Sequence, residues 1–180
     1  RQEAVSPDTS LRVHTYNAPI VMDLAVSDGA LAPTHWQASQ FPEALRPKLE
    51  VIFDGIDSDY FQPGAAGPAG LELQGVNIPA DVPLVTYVTR GFEPYRGWPQ
   101  VAEGLSLLLQ RNHRCHVLLV GSDEVAYGAA RSDGKSWREW ALSEFPMDPD
   151  RLHYLPALQY DQYLQVLQAS WVHVYWSIPF

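Results

Sequence analysis

From Leu84 onward, short apolar runs alternate with stretches of helical period. Leu84 to Thr89 is apolar and β-branched and predicts a buried strand. Trp98, Val101, Ala102, Leu105, Leu108 and Leu109 form a stripe that predicts a helix over 98–110. Cys115 to Val120 predicts the next strand, ending in Gly121-Ser122-Asp123-Glu124. Ser136 to Phe145 predicts a helix with Trp137, Trp140, Ala141 and Phe145 on one side. Leu152 to Leu155 is a strand, and Tyr160, Tyr163, Leu164 and Leu167 mark a helix at i, i+3, i+4 and i+7. Trp171 to Trp176 is the last strand.

The first residues repeat this pattern more weakly. Residues 1–10 are polar and expected to fray. Asn17 to Val26 predicts a helix, with Ile20, Val21, Leu24 and Ala25 on one face and Pro19 in its first turn. Ala30 to Ala32 is a short strand, and Pro33-Thr34 opens a helix with Thr34 as N-cap and Trp36, Gln37 and Phe41 inside it. Leu49 to Phe53 is another strand, closed by the turn Asp54–Asp57. Between the two patterned regions lie Pro63, Gly64, Gly67, Pro68, Gly70, Gly75, Pro79 and Pro83, which predict a linker over 58–83 with at most a short extended piece at Leu71–Leu73. The division expected is therefore 1–57, linker 58–83, and 84–180. Strand-helix-strand units of this length imply an α/β fold: a Rossmann-like parallel sheet with flanking helices and right-handed crossovers.

Ligands of such sheets bind at the carboxyl ends of the strands. The segments placed there are 90–97, 121–127, 156–160 and 177–180. The first is the most informative. Arg90 and Arg96, six residues apart in Thr89-Arg90-Gly91-Phe92-Glu93-Pro94-Tyr95-Arg96-Gly97, lie on a strand-to-helix turn beside a helix N-terminus. That end offers free N–H groups and a positive dipole. Two permanent cations beside it suit a diphosphate, because guanidinium matches phosphate oxygens bidentately. Glu93, between them, can orient either one, and Gly91 and Gly97 let the backbone approach a ligand. The alternative is a pair of surface arginines neutralised by Glu93 and solvent.

Composition narrows the classes. Of 180 residues, 46% are apolar and 18% charged, enough for a packed core. The net charge of −9 disfavours nucleic acid and anionic lipid as partners. The charge is uneven: residues 1–83 carry 4 basic and 11 acidic groups, residues 84–180 carry 8 and 10. The single cysteine, Cys115, excludes an internal disulfide and reads as a buried structural thiol in a reducing compartment. No run of 18 apolar residues or signal peptide occurs. The six histidines show no metal-ligand spacing, and His116, His153 and His173 alternate with apolar residues as sheet histidines do. Neither GxGxxG nor GxxxxGK[ST] is present, which argues against a nicotinamide dehydrogenase and a P-loop nucleotidase, and no GxSxG elbow occurs either. The turn Gly121–Glu124 is too acidic to cradle phosphate. It suits a cation, sugar hydroxyls or a pairing with Arg90. Trp98, Trp137 and Trp140 lie on helix stripes and read as core.

The segment Thr89 to Gly97 resembles the first strand-to-helix turn of the C-terminal domain in glycosyltransferase family 4. Pro33-Thr34-His35-Trp36-Gln37, Phe41-Pro42 and Val51 to Asp57 resemble the end of the N-terminal domain in a bacterial branch of that family. Leu155-Pro156 through Tyr160, with Ala169 to Val174, resembles the stretch bordering the base. The resemblance implies a GT-B architecture, with 1–57 ending an acceptor-side domain and 84–180 forming a nucleotide-sugar-binding domain. It implies a retaining, hexosyl-type transfer from a UDP- or GDP-sugar to a carbohydrate or lipid-linked acceptor, with no cofactor or metal required because basic side chains neutralise the leaving diphosphate. Arg90 and Arg96 are then the catalytic pair, and Gly91, Glu93, Gly121, Asp123, Glu124, Leu158 and Tyr160 border the donor. Polysaccharide assembly in a bacterial cytoplasm, or at the inner face of its membrane, is the implied setting.

The family's acidic pair, with seven residues between its members, is expected beyond Phe180, and a glycine-rich loop before Arg1. The 180 residues are accordingly expected to come from a longer protein, to transfer no sugar alone, and to self-associate through uncovered apolar surface. A non-catalytic nucleotide-sugar-binding module, a GT-B-shaped sugar epimerase and an oxidoreductase remain open as alternatives.

Overall fold

The computed structural model describes residues 6–64 and 67–178. Residues 1–5 and 179–180, where fraying and part of the last strand-end segment were expected, lie outside them. The chain divides into two compact units, 1–57 and 58–180.

The first unit opens with helix α1 (Pro7–Val26), capped by Ser6, whose Oγ accepts the Thr9 N–H at 3.2 Å. The helix starts ten residues before the expected Asn17, so residues 7–10 are helical and Pro19 lies inside it rather than in its first turn. Of the expected face only Leu24 is buried; Ile20 and Val21 are exposed. Strand β1 (Ala30–Ala32) pairs in parallel with β2 (Leu49–Val51), and helix α2 (His35–Ser39) lies between them in the chain. Thr34 caps α2 as expected, accepting the Gln37 N–H at 3.1 Å, but Phe41 falls beyond its end. Lys48 Nζ donates to the carbonyls of Leu24, Ala25 and Ser27, holding the end of α1 against the approach to β2.

The second unit is built on four parallel strands in the order β7-β6-β5-β8, from β5 (Leu84–Gly91), β6 (His116–Ser122), β7 (Leu152–Leu155) and β8 (Val172–Val174). Both faces are covered, and alternate residues of one strand serve opposite cores. Val85 and Tyr87 of β5 and Val117 and Leu119 of β6 pack with α3 (Trp98–Arg111) and α4 (Trp137–Glu144). Leu84, Leu118, Val120 and Leu155 pack on the other face with Val166 and Ala169 of α5 (Tyr160–Ala169). That second core also contains Leu71, Leu73 and Ile78 from an antiparallel hairpin, β3 (Leu71–Leu73) and β4 (Val76–Ile78). The stretch expected as a linker thus includes a two-stranded cover for the sheet, with Gln74 and Gly75 at positive φ in its turn.

The sheet histidines are satisfied within the sheet. His116 Nδ1 and His153 Nε2 are hydrogen-bonded at 2.9 Å across β6 and β7, and His173 Nδ1 lies 2.9 Å from Thr86 Oγ1. Burial, and for His116 the nearby Arg151 guanidinium, hold the pair below the usual 6.5, and for His153 its partner's charge adds to burial. Below that value the unfolded chain takes up protons that the folded pair resists. The pair's stability is therefore complete above pH 6.5 and is lost as pH falls through the lowered folded-state values. Urea unfolding midpoints are expected to fall between about pH 7.5 and about pH 5, and the fall to be smaller in His116→Leu/His153→Leu. An equal fall in both proteins would assign the acid sensitivity elsewhere.

Candidate diphosphate site

The site grows from the carboxyl end of β5, which has a parallel neighbour on each side and is fixed in register by both. Beyond Val88 the register slips: Val88 pairs with Val120, but Gly91 pairs with Ser122, so β5 carries one extra residue over Thr89–Arg90. Such a bulge bends the strand and re-aims a side chain. Arg90 lies in it, exposed near the strand end.

After Gly91 the chain makes one 3₁₀ turn, Pro94–Arg96, and enters α3 through Gly97 at φ 65. The Trp176 ring occupies the space a Cβ at Gly97 would need, and the Glu124 carbonyl does the same at Gly91. Both glycines admit the protein's own atoms, not the ligand expected there. The helix end also offers fewer amides than expected, since Pro99 has none and the Trp98 N–H is taken by the Glu93 carbonyl at 3.3 Å.

Arg90 and Arg96 line one cavity of about 170 Å³ with Tyr87, Thr89, Tyr175 and Trp176. Among the described residues neither guanidinium makes an ion pair. The Arg96 carbonyl accepts a 2.6 Å bond from the Tyr87 hydroxyl, which burial pushes up to about 12, so it stays a donor at neutral pH. Beneath the turn, Trp98 is fully buried, 4.8 Å from Phe92 and 5.7 Å from Tyr87 between ring centroids, and its Nε1 donates to the Trp137 carbonyl at 3.0 Å.

Arg90 also lines a second cavity of about 220 Å³, walled by Val120, Gly121, Ala157, Leu158, Tyr160 and Tyr163. The structure thus brings Arg90, Arg96, Gly121, Leu158 and Tyr160 to two adjoining hollows. It does not bring Glu93 or Asp123 to them. Glu93 is fully buried and accepts the Tyr127 N–H at 2.8 Å; it neutralises neither arginine. Asp123 is gripped bidentately by Arg138 at 2.6 and 2.8 Å, not by Arg90, so its charge is already paired. Arg138 lies over the Tyr154 ring at 4.1 Å, and the bond to Asp123 raises its affinity for the proton further. Glu124 is exposed and lines neither cavity. No group of three metal-ligating side chains occurs among the described residues. Tyr175 and Trp176, which complete the wall, were read as strand ending; aromatic side chains just past a parallel strand were the available signal.

Residues 1–61 match the family model of the glycosyl transferase family 4 group. No curated protein matches the chain. Among solved structures, TarM is similar at a TM-score of 0.61 and 10% identity, covering 91% of this chain and 28% of TarM. At that identity the likeness is one of fold, and the chain spans 28% of TarM's length. Residues 1–61 thus carry the sequence pattern of the glycosyl transferase family 4 group, and the chain as a whole shares the α/β fold of TarM, with a Rossmann-like parallel sheet in its second unit.

Proposed function

We propose that residues 84–180 bind the donor of a glycosyl transfer, a nucleoside-diphosphate sugar, and that the whole protein moves that sugar to a carbohydrate or lipid-linked acceptor. The observation that carries this reading is the pair of guanidinium groups, in no ion pair among the described residues, on the wall of a single cavity at the mouth of a parallel sheet. A pyrophosphate between Arg90 and Arg96 meets two forks of charged donors. The base then reaches the adjoining hollow, where Leu158 and Tyr160 offer apolar surface.

In this reading the guanidinium groups do chemical work as well as holding. Charge on the diphosphate grows as the glycosidic bond breaks, so cations fixed beforehand favour the transition state over the ground state. The Tyr87 bond to the Arg96 carbonyl fixes the backbone that carries one of them. No metal is needed for that neutralisation. UDP or GDP as the nucleotide, retention at the sugar carbon and a hexosyl unit are the finer parts of the proposal, drawn from the family resemblance, as is a bacterial cytoplasmic setting. Among the described residues no helix is long and apolar enough to cross a membrane.

The test is calorimetric titration of the 180-residue chain with UDP, GDP and ADP, their monophosphates and their sugars. Diphosphates are expected to bind more tightly than the matching monophosphates, with one base preferred and no sugar released. Equal binding of mono- and diphosphates, or none of either, overturns the clamp; sugar transfer by the chain alone overturns the expectation of binding without turnover.

A further inference from the structure

The loop 122–128 after β6 lies along the arginine turn and touches it at successive points. The Ser122 carbonyl accepts the Phe92 N–H at 3.1 Å. The Glu124 carbonyl fills the space beside Gly91. The Tyr127 N–H donates to Glu93 Oε2 at 2.8 Å, and the Tyr95 ring stands where a Cβ on Gly128 would come. The loop's start is held to α4 by the Asp123–Arg138 fork. Its far end brings the Tyr127 ring under the Arg96 guanidinium, 5.4 Å from Cζ to the ring centroid.

A fully buried carboxylate spent on a single backbone amide is an expensive anchor for a surface loop. Glu93 Oε1 has no hydrogen-bond partner among the described residues, and neither does the buried Arg96 Nε. Among the described residues no carboxylate forms an ion pair with this arginine; the aromatic face of Tyr127 is what lies against it. A long flexible cation that must meet a diphosphate in one geometry loses rotamer entropy on binding, and a ring beneath it removes part of that loss beforehand without neutralising the charge. A carboxylate in the same place would compete with the ligand.

We propose that Tyr127 is a positioning residue for Arg96, held in place by Glu93, and that the loop 122–128 is the bracket presenting this arginine to the donor diphosphate. The proposal rests on the reading of Arg96 as a diphosphate ligand.

Two measurements on the 180-residue chain test it. UDP affinity is compared for wild type, Tyr127→Leu and Tyr127→Phe, each with Arg96 present and as Arg96→Ala. The Arg96 Nε–H resonance is followed in the same proteins without ligand. Tyr127→Leu is expected to weaken UDP about 3- to 5-fold, the size of one partly exposed cation–π contact. Tyr127→Phe, which keeps the ring, restores affinity, and the leucine effect vanishes in Arg96→Ala. The Nε–H resonance, displaced by the ring current in wild type and Tyr127→Phe, returns toward an unstructured position in Tyr127→Leu. Equal affinity in wild type and Tyr127→Leu, or the same loss in the Arg96→Ala background, overturns the proposal. If wild type binds no diphosphate while its Nε–H still reports the ring, the clamp is what fails.

Discussion

Alanine at Arg90 or at Arg96 is expected to lower the affinity for a nucleoside diphosphate about 10- to 100-fold, and alanine at both to remove measurable binding. A hydrogen bond to a charged group contributes about 1.5–3 kcal/mol, and 1.4 kcal/mol is tenfold in affinity. The fold is expected to tolerate both changes. Neither guanidinium makes an ion pair within the described residues, so no buried partner is left uncompensated. Lysine is expected to restore little, because one ammonium cannot reproduce the guanidinium fork. Calorimetry gives the affinities and urea unfolding the stabilities. Unchanged affinity in both single variants would take the diphosphate away from this cavity. A matching loss of stability would turn the arginines into scaffold.

Trp98→Ala is expected to show the reverse: a large loss of stability, with binding lost only because the fold is. Trp98 is fully buried, packs against Phe92 and Tyr87, and donates its indole N–H to the Trp137 carbonyl. Truncating a buried tryptophan costs about 3–5 kcal/mol, before counting the carbonyl left without its donor. Domains of this size are stable by about 5–15 kcal/mol in all. With the usual urea dependence of about 1–3 kcal/mol per molar, the urea midpoint is expected to fall by about 1–5 M. Trp98→Phe is expected to recover about half. A midpoint within experimental error of wild type would show that the ring is not the keystone between α3 and the turn.

The periodic parts of this fold could be read from its residues. Leu152–Leu155 stands as expected, α4 begins after the Ser136 cap, and α5 follows the spacing of Tyr160, Tyr163, Leu164 and Leu167. These elements bury one side, so their pattern carries the signal. Helix α1 buries only Leu24, and its first ten residues hold no apolar stripe to read. Its start was nevertheless marked by Ser6, Pro7 and Asp8, a cap, a first-turn proline and an acid at the positive end. The β3–β4 hairpin was masked by the prolines and glycines around it, although Leu71, Leu73, Val76 and Ile78 already alternated toward a core.

The convergence of Arg90 and Arg96 on one hollow was legible because strand ends and loop starts are set by local pattern. Partner choice was not. Asp123 took Arg138, fifteen residues away, and Glu93 took the amide of Tyr127, because a bulge and a docked loop decided which groups met. Those are properties of register and packing that no spacing along the chain encodes.

Strand β5 is paired on both sides and carries the arginine turn on its end. Amides in such a central position exchange with solvent only when the whole domain opens. The receptor for the anion therefore hangs from one of the two strands at the centre of the sheet. Association then has little rearrangement to wait for, and capture should run near the rate at which ligand and protein meet.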